Sequence, residues 1–174
     1  MKIELLVGMI ASGKSTYARR RADEGALVIS HDGLTSMLHA AYRYESWLRP
    51  CYREMEESLV KLAIEYERDV VIDRTHLTLE SRLRWVHFAS AEFAGHKPDV
   101  YLHAITFPIE APEAHALRRF TAEARGRSYE DWLDVARHHS YQASEEPIGE
   151  GEGFDRIERR QWIEEGGSRD EPDR

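Results

Sequence analysis

Apolar residues along this chain fall into two kinds of block. Nearly unbroken short runs occur at Lys2–Val7, Ala26–Ser30, Asp69–Ile72 and Val100–Phe107. Each is closed by a polar residue, Gly or Pro, the pattern of a strand buried on both faces. Between them lie longer segments with helical periodicity: Lys14–Glu24, Gly33–Ala41, Leu48–Glu67, Leu79–Ala94, Glu113–Arg125 and Tyr129–Tyr141. Gly25, Gly95 and Gly126 punctuate them, as glycines after helices do. In the third helix Leu59, Leu62, Ala63 and Tyr66 are expected on the buried face. In the fourth, Leu79, Leu83, Val86 and Phe93 take that place. Trp85 and Trp132 are expected in the core, and Phe154–Glu158 reads as a short last strand.

Strands that alternate with helices imply an α/β fold, a mostly parallel sheet flanked by helices on both faces with right-handed crossovers. Ligands of such sheets bind beyond the carboxyl ends of the strands. Gly8, Asp32, Asp73 and Phe107 each follow or close a predicted strand. Residues far apart in sequence are thus expected to meet at one edge.

Composition narrows the possibilities. With 174 residues the prior is one domain, taken as 1–165, followed by a polar tail, 166–174, that reads as disordered. The net charge of −8 excludes bulk electrostatic binding of nucleic acid, so a polyanionic substrate would need a local basic patch. Cys51 is the only cysteine, so no intrachain disulfide forms. No apolar run is long enough to span a bilayer, and the first residues lack the architecture of a secretory signal. The expectation is a cytoplasmic protein with no membrane contact and no obligate protein partner.

The strongest chemical signal is Gly8-Met9-Ile10-Ala11-Ser12-Gly13-Lys14-Ser15, a full match to G-x-x-x-x-G-K-[ST] between a strand and a helix. Gly8 and Gly13 let the backbone curl, so that N–H groups from Ala11 to Ser15 turn inward on phosphate oxygens. The positive end of the following helix adds to that attraction. Lys14 is expected to reach the β- and γ-phosphates of ATP, and the Ser15 hydroxyl to ligate Mg²⁺. Thr16 offers a second hydroxyl near the α-phosphate.

Two acids follow predicted strands. Asp32 is placed to take the proton of an attacking hydroxyl; the alternative is an N-cap on the helix from Gly33. Asp73 closes the third strand, where it would hold Mg²⁺ through water; the alternative is a turn residue. Arg118, Arg119, Arg125 and Arg127 cluster after the fourth strand, as a mobile lid over a nucleotide would need, or as a solvated helix face would show. Arg82 and Arg84, with Arg43, Arg49 and Arg53, could line an acceptor channel, and Tyr42, Tyr44 and Trp47 interleave with the latter group. The histidines show no zinc spacing; His76 is the one near the site.

Together these motifs resemble the kinase domain of bacteriophage-type polynucleotide 5′-hydroxyl kinases and the related small P-loop kinases. The resemblance rests on the phosphate loop through Thr16, Ser30-His31-Asp32, and Asp73-Arg74-Thr75-His76-Leu77. Glu80-x-Arg82-Leu83-x-Trp85, Phe88-Ala89, Arg119 to Arg125 and Glu152-Gly153-Phe154-Asp155 add to it. It implies a P-loop NTPase kinase-type fold with a helical, arginine-bearing lid, and ATP and Mg²⁺ on Lys14 and Ser15. It makes Asp32 the general base, gives Arg119 and Arg125 to phosphate clamping, and Arg82 to support of the site or of the acceptor strand. Two positions depart from the family. Thr35 stands where an arginine that contacts the acceptor's phosphate is usual, and His76 where Asn is usual; Arg43, Arg49 and Arg53 are candidate substitutes for the arginine. The implied reaction moves the γ-phosphate to a hydroxyl, first of all the 5′-OH end of a nucleic acid. A small hydroxylated metabolite, a nucleoside or a modified base is the alternative acceptor, and an ATP-dependent switch without acceptor the distant alternative.

Overall fold

The computed structural model describes residues 1–93, 100–122 and 126–161. Five strands form one sheet: β1 (Lys2–Val7), β2 (Leu27–Ser30), β3 (Val70–Asp73), β4 (Tyr101–Thr106) and β5 (Arg156–Arg159). Their order is β2-β3-β1-β4-β5 and every pairing is parallel. Six α-helices connect them: α1 (Lys14–Asp23), α2 (His31–His39), α3 (Arg49–Glu65), α4 (Leu79–Phe93), α5 (Pro112–Ala122) and α6 (Tyr129–Glu145). This is the P-loop kinase-type α/β fold. No helix among the described residues is long and apolar enough to cross a membrane.

Strand periodicity sends neighbouring side chains to opposite faces. Ile3, Leu5 and Ile72 pack with Val60, Ala63 and Ile64 of α3 and with Trp85 and Phe88 of α4. Leu6, Val71 and Ile105 pack on the other face with Tyr17 and Ala18 of α1. The runs read as continuously apolar because both faces are covered. A third cluster, Met9, Leu77, Ala116, Trp132 and Ala136, fastens α5 and α6 to the loop after β1.

The buried face of α3 differs from the expected one. Leu59, Leu62 and Tyr66 are 37%, 48% and 76% exposed, whereas Tyr52, Glu56, Val60, Ala63 and Ile64 are buried. The stripe contains a carboxylate, so a count of apolar positions misses it. Glu56 is fully buried because His31, Arg74 and Arg84 meet it inside the protein. On α4 the buried residues are Arg82, Trp85 and Phe88. Leu79 is 40% exposed, while Val86 and Phe93 pack at the edge of the core. Trp85 and Trp132 are buried as expected.

His76 joins three parts of the fold. It has a positive φ of 42°, its Nδ1–H donates to the Leu6 carbonyl at 2.9 Å, and its Nε2 accepts from the indole N–H of Trp85 at 3.2 Å. An indole can only donate, so the ring is held neutral with its proton on Nδ1. Burial above all pushes its pKa down to about 3. The unfolded chain therefore takes up a proton near pH 6.5 that the folded chain refuses until about pH 3. Stability is lost as pH falls through that window, by up to about 1.4 kcal/mol per pH unit from this one group. Asn accepts positive φ and keeps one donor and one acceptor without titrating. His76→Asn is thus expected to flatten the fall in melting temperature between about pH 7 and about pH 5. Equal slopes for the two proteins in thermal scans would refute the assignment.

Candidate active site

The loop after β1 is shaped by what its residues cannot be. A Cβ on Gly8 would lie 2.8 Å from Ser12 Oγ and 3.0 Å from the Phe107 Cβ, so a side chain there would have to push both residues aside. The Gly8 N–H donates to the Thr75 carbonyl at 2.9 Å, tying the loop to the exit of β3. Ala11 and Gly13 both take positive φ, 47° and 91°. Gly13 leads into α1, whose first turn has no side-chain cap and no acidic residue. Open N–H groups at the positive end of a helix dipole form a cradle for an anion.

Lys14 closes over this cradle. Its ammonium donates to the carbonyls of Gly8, at 2.9 Å, and of Met9, and lies 3.4 Å from Ser12 Oγ. Only 8% of the residue is exposed. Burial pushes its pKa down to about 8; the carboxylates of Asp73 and Asp32 pull it back up, and Arg119 lowers it further. Two carboxylates only partly offset the loss of solvent around this cation, and a triphosphate would add counter-charge.

The carboxylates arrive by sheet pairing. Ser30 of β2 lies opposite Asp73 of β3 in parallel register. The Ser15 hydroxyl donates to Asp73 Oδ2 at 3.0 Å, joining the start of α1 to the end of β3. Burial raises the Asp73 pKa, against the Ser15 hydrogen bond and the Lys14 charge. A hydroxyl and a carboxylate in contact are hard oxygen donors suited to Mg²⁺. Among the described residues no three acidic, His or Cys side chains could hold a metal alone, so an ion here would share its shell with phosphate oxygens.

Asp32 is in the first turn of α2, but it is not the cap. The Ser30 hydroxyl accepts the Gly33 N–H at 3.2 Å and fills that role. Asp32 lines a cleft of about 1230 Å³ with Lys14, Ser15, Asp73, Arg119 and Trp132. Across it, the Arg119 and Arg127 guanidinium carbons lie 5.0 and 4.9 Å from the Trp132 ring centroid. The base of the lid is anchored: His115 Nδ1–H donates to the Ile10 carbonyl at 2.8 Å, and Arg118 Nε to that of Ala11 at 3.2 Å. The Ile10 N–H donates to His139 Nδ1 at 3.3 Å. Burial, with the Lys14 charge, pushes the His139 pKa down to about 4.

Beneath the cleft Glu56 collects three partners: His31 Nδ1 at 3.0 Å, Arg74 Nη1 at 3.0 and 3.1 Å, and Arg84 Nη1 at 2.9 Å. Burial alone would raise its pKa; the His31 hydrogen bond and the two guanidinium charges outweigh that and hold it at about 2. Arg74 and His31, both on the cleft wall, are therefore fixed from below.

The profile of one protein family, described as an AAA domain, matches residues 3–146. The chain belongs to the AAA domain family. A chain of the Pnkp1/Rnl/Hen1 RNA repair complex superposes with TM-score 0.68 at 22% identity, covering 83% of this AAA domain chain. The match spans 44% of that longer chain. Shikimate kinase from Bacteroides thetaiotaomicron superposes with TM-score 0.54 at 13% identity, over 89% of this chain and 84% of its own. At such identities the likeness concerns the fold. A search of curated proteins found no match.

In this AAA domain the structure brings Ala11, Lys14, Ser15, Asp32, Arg43, Asp73 and Arg119 to one cleft, while Gly8, Ser12 and Gly13 belong to the loop that carries Ala11 and Lys14 there. Thr16 is exposed in the first turn of α1 and accepts from Arg19 at 3.4 Å. Arg125 lies outside the described residues, as does the tail 166–174. Two substrate assignments are corrected. Arg82 is 1% exposed and bound to Glu152 at 2.6 and 2.9 Å and to the carbonyls of Leu77 and Glu146; it staples α4 to the segment before β5. Thr35 is fully buried and donates to the Asp32 carbonyl at 3.0 Å, so it steadies the α2 turn instead of meeting substrate. Arg49 lines a separate, smaller cavity. The sequence pattern did not mark Glu56, Arg74 or His139 as site residues. The available signal was a charged residue on the helical stripe of Tyr52 and Val60.

Lys14→Met tests the cradle. If the cradle takes ATP·Mg²⁺, the ligand should stabilise the wild-type fold by about 2.7 kcal/mol at a hundredfold excess over Kd, and the variant is expected to lose the resulting rise in melting temperature. Its ligand-free melting point should stay within about 4 °C of wild type, because the residue serves the ligand more than the fold. An undiminished ATP·Mg²⁺ shift in differential scanning would contradict this.

Proposed function

We propose that this chain is an ATP-dependent phosphotransferase that moves the γ-phosphate to a hydroxyl, most specifically the 5′-OH of a polynucleotide. The observation that carries the reading is Asp32. A helix-initial aspartate, relieved of capping by Ser30, shares one cleft with Lys14 and with the Ser15–Asp73 pair.

The phosphate loop and Lys14 bind the β- and γ-phosphates; Ser15 and Asp73 are the residues that would hold Mg²⁺, which would supply further neutralisation of phosphate charge. Asp32 accepts the proton of the acceptor hydroxyl as its oxygen forms the new bond to the γ-phosphorus. The bond from that phosphorus to the bridging oxygen breaks, and ADP leaves with the electron pair. Arg119, and Arg125 beyond the described residues, offset charge on the equatorial oxygens.

Support for a nucleic-acid end comes from the motif resemblance and from the cleft wall, where Tyr42, Tyr44, Arg43 and Arg74 offer ring faces and positive charge. The cleft is larger than the roughly 300–1,000 Å³ common for a single small ligand, in keeping with a nucleotide and an acceptor side by side. No arginine occupies position 35, so Arg43 and Arg74 take over the acceptor contact.

Asp32→Asn is the decisive variant. It keeps the side-chain shape, and the cap on Ser30 is untouched. Transfer at saturating ATP and acceptor should fall by roughly 10² or more, with ATP affinity little changed. Transfer within a few-fold of wild type would remove the general-base role. Joint loss of ATP binding and transfer would move Asp32 into the metal shell instead.

A further inference from the structure

A second, smaller cavity of about 190 Å³ adjoins the main cleft and shares Arg74 and Thr75 with it. Its wall also carries Arg49, Arg53 and Arg84, and none of its lining residues is acidic. Four guanidinium groups surround this small space against the three carboxylates that pair with them, Glu56, Glu57 and Glu80, a local excess of positive charge on a chain of net charge −8.

The four arginines differ in how firmly they are held. Arg84 is fixed: it donates to Glu56 at 2.9 Å, to Glu57 at 3.0 Å and to the Arg53 carbonyl at 2.9 Å, and lies 4.6 Å from the centroid of the Trp85 ring. Arg74 is held by Glu56. The Arg49 and Arg53 side chains share one carboxylate, Glu80, at 3.5 and 3.2 Å. Glu80 is 74% exposed, and a surface pair of this kind contributes little. A phosphate entering the cavity would displace Glu80 and gain two charged donors against a preset positive wall.

We propose that this cavity is an anion subsite that receives a phosphate carried by the acceptor molecule while the acceptor's hydroxyl lies at Asp32. The inference rests on the phosphotransferase reading above. Arg74 and Thr75 line both cavities, which sets the subsite beside the cleft that the acceptor would enter. The ligand chemistry is a phosphate mono- or diester, which a polynucleotide or a small phosphorylated metabolite would both bring.

The test is binding to the protein saturated with ADP·Mg²⁺, which fills the phosphate loop. Two matched pairs of probes are titrated: the 5′-OH trinucleotide of thymidine against thymidine, and ribose 5-phosphate against ribose. Wild type should prefer the charged member of one pair by about tenfold or more, the factor that one charged hydrogen bond supplies. Preference in the first pair points to a polynucleotide, and in the second to a small metabolite. Arg49→Gln/Arg53→Gln should abolish the preference and leave neutral-probe affinity and melting temperature unchanged. For the trinucleotide, the slope of log affinity on log salt should flatten by about 0.7 for each phosphate that the variant no longer neutralises. Ser81→Glu, which places a carboxylate on the same wall, should act likewise, and Glu80→Gln should strengthen binding of the charged probe. No preference in wild type, or one that survives both the double variant and Ser81→Glu, would overturn the subsite. Failure of the phosphotransferase reading shows separately, as absent γ-phosphate transfer from ATP to every acceptor, because the binding titrations need no turnover.

Discussion

Parallel pairing of β3 between β1 and β2 is the constraint on which the rest of the molecule depends. It sets Leu5 beside Ile72 and Ser30 beside Asp73. The phosphate loop, the Asp32 turn and the Asp73 carboxylate therefore leave the sheet at one edge. A shift of one residue would turn each strand's side chains to the other face, separating Leu5 from the α3–α4 layer and Leu6 from α1. The two-sided core that fixes the register thus also assembles the site. The Gly8–Thr75 and Ser15–Asp73 hydrogen bonds then lock loop to strand end.

That edge concentrates charge that the fold would be easier to build without. Lys14 is nearly dry and bound to carbonyls. Asp73 is half-buried, with its pKa raised by the loss of solvent around it. Glu56 is fully enclosed by His31, Arg74 and Arg84. Removing one partner of such a buried set costs about 3–5 kcal/mol, although an apolar set of equal volume often does as well or better. The arrangement is therefore explained by what it positions. Glu56 holds Arg74 on the wall that both cavities share, and Lys14 stands ready for an anion that adds to its counter-charge.

The sheet, its parallel sense and the phosphate loop were legible in the sequence because each follows from local rules: continuous apolar runs, alternation with helices, and glycines at fixed spacing. Asp32 was legible as a position, but its release from capping was not, since that turns on which of two neighbouring oxygens meets the Gly33 N–H. Arg82 misled for the opposite reason. A guanidinium is expected at the surface unless partners are known, and its partners Glu152 and the Glu146 carbonyl lie 70 and 64 residues away. Glu56 hid in the same way, its partners arriving from the α2 start, the β3 exit and α4 by tertiary packing alone. The small arginine-lined cavity has no sequence signature, because its walls come from α3, the β3–α4 connection, α4 and α6.

The central claim is that the cleft carries phosphate to a hydroxyl rather than to water. The most direct measurement follows γ-labelled ATP with the wild-type protein, Mg²⁺ and a 5′-OH oligonucleotide, resolving labelled oligonucleotide from free phosphate. The account predicts label on the 5′ oxygen, removable by a phosphomonoesterase, and little free phosphate while acceptor is in excess. Release of free phosphate at one rate with or without the oligonucleotide, and with no labelled product, would contradict it.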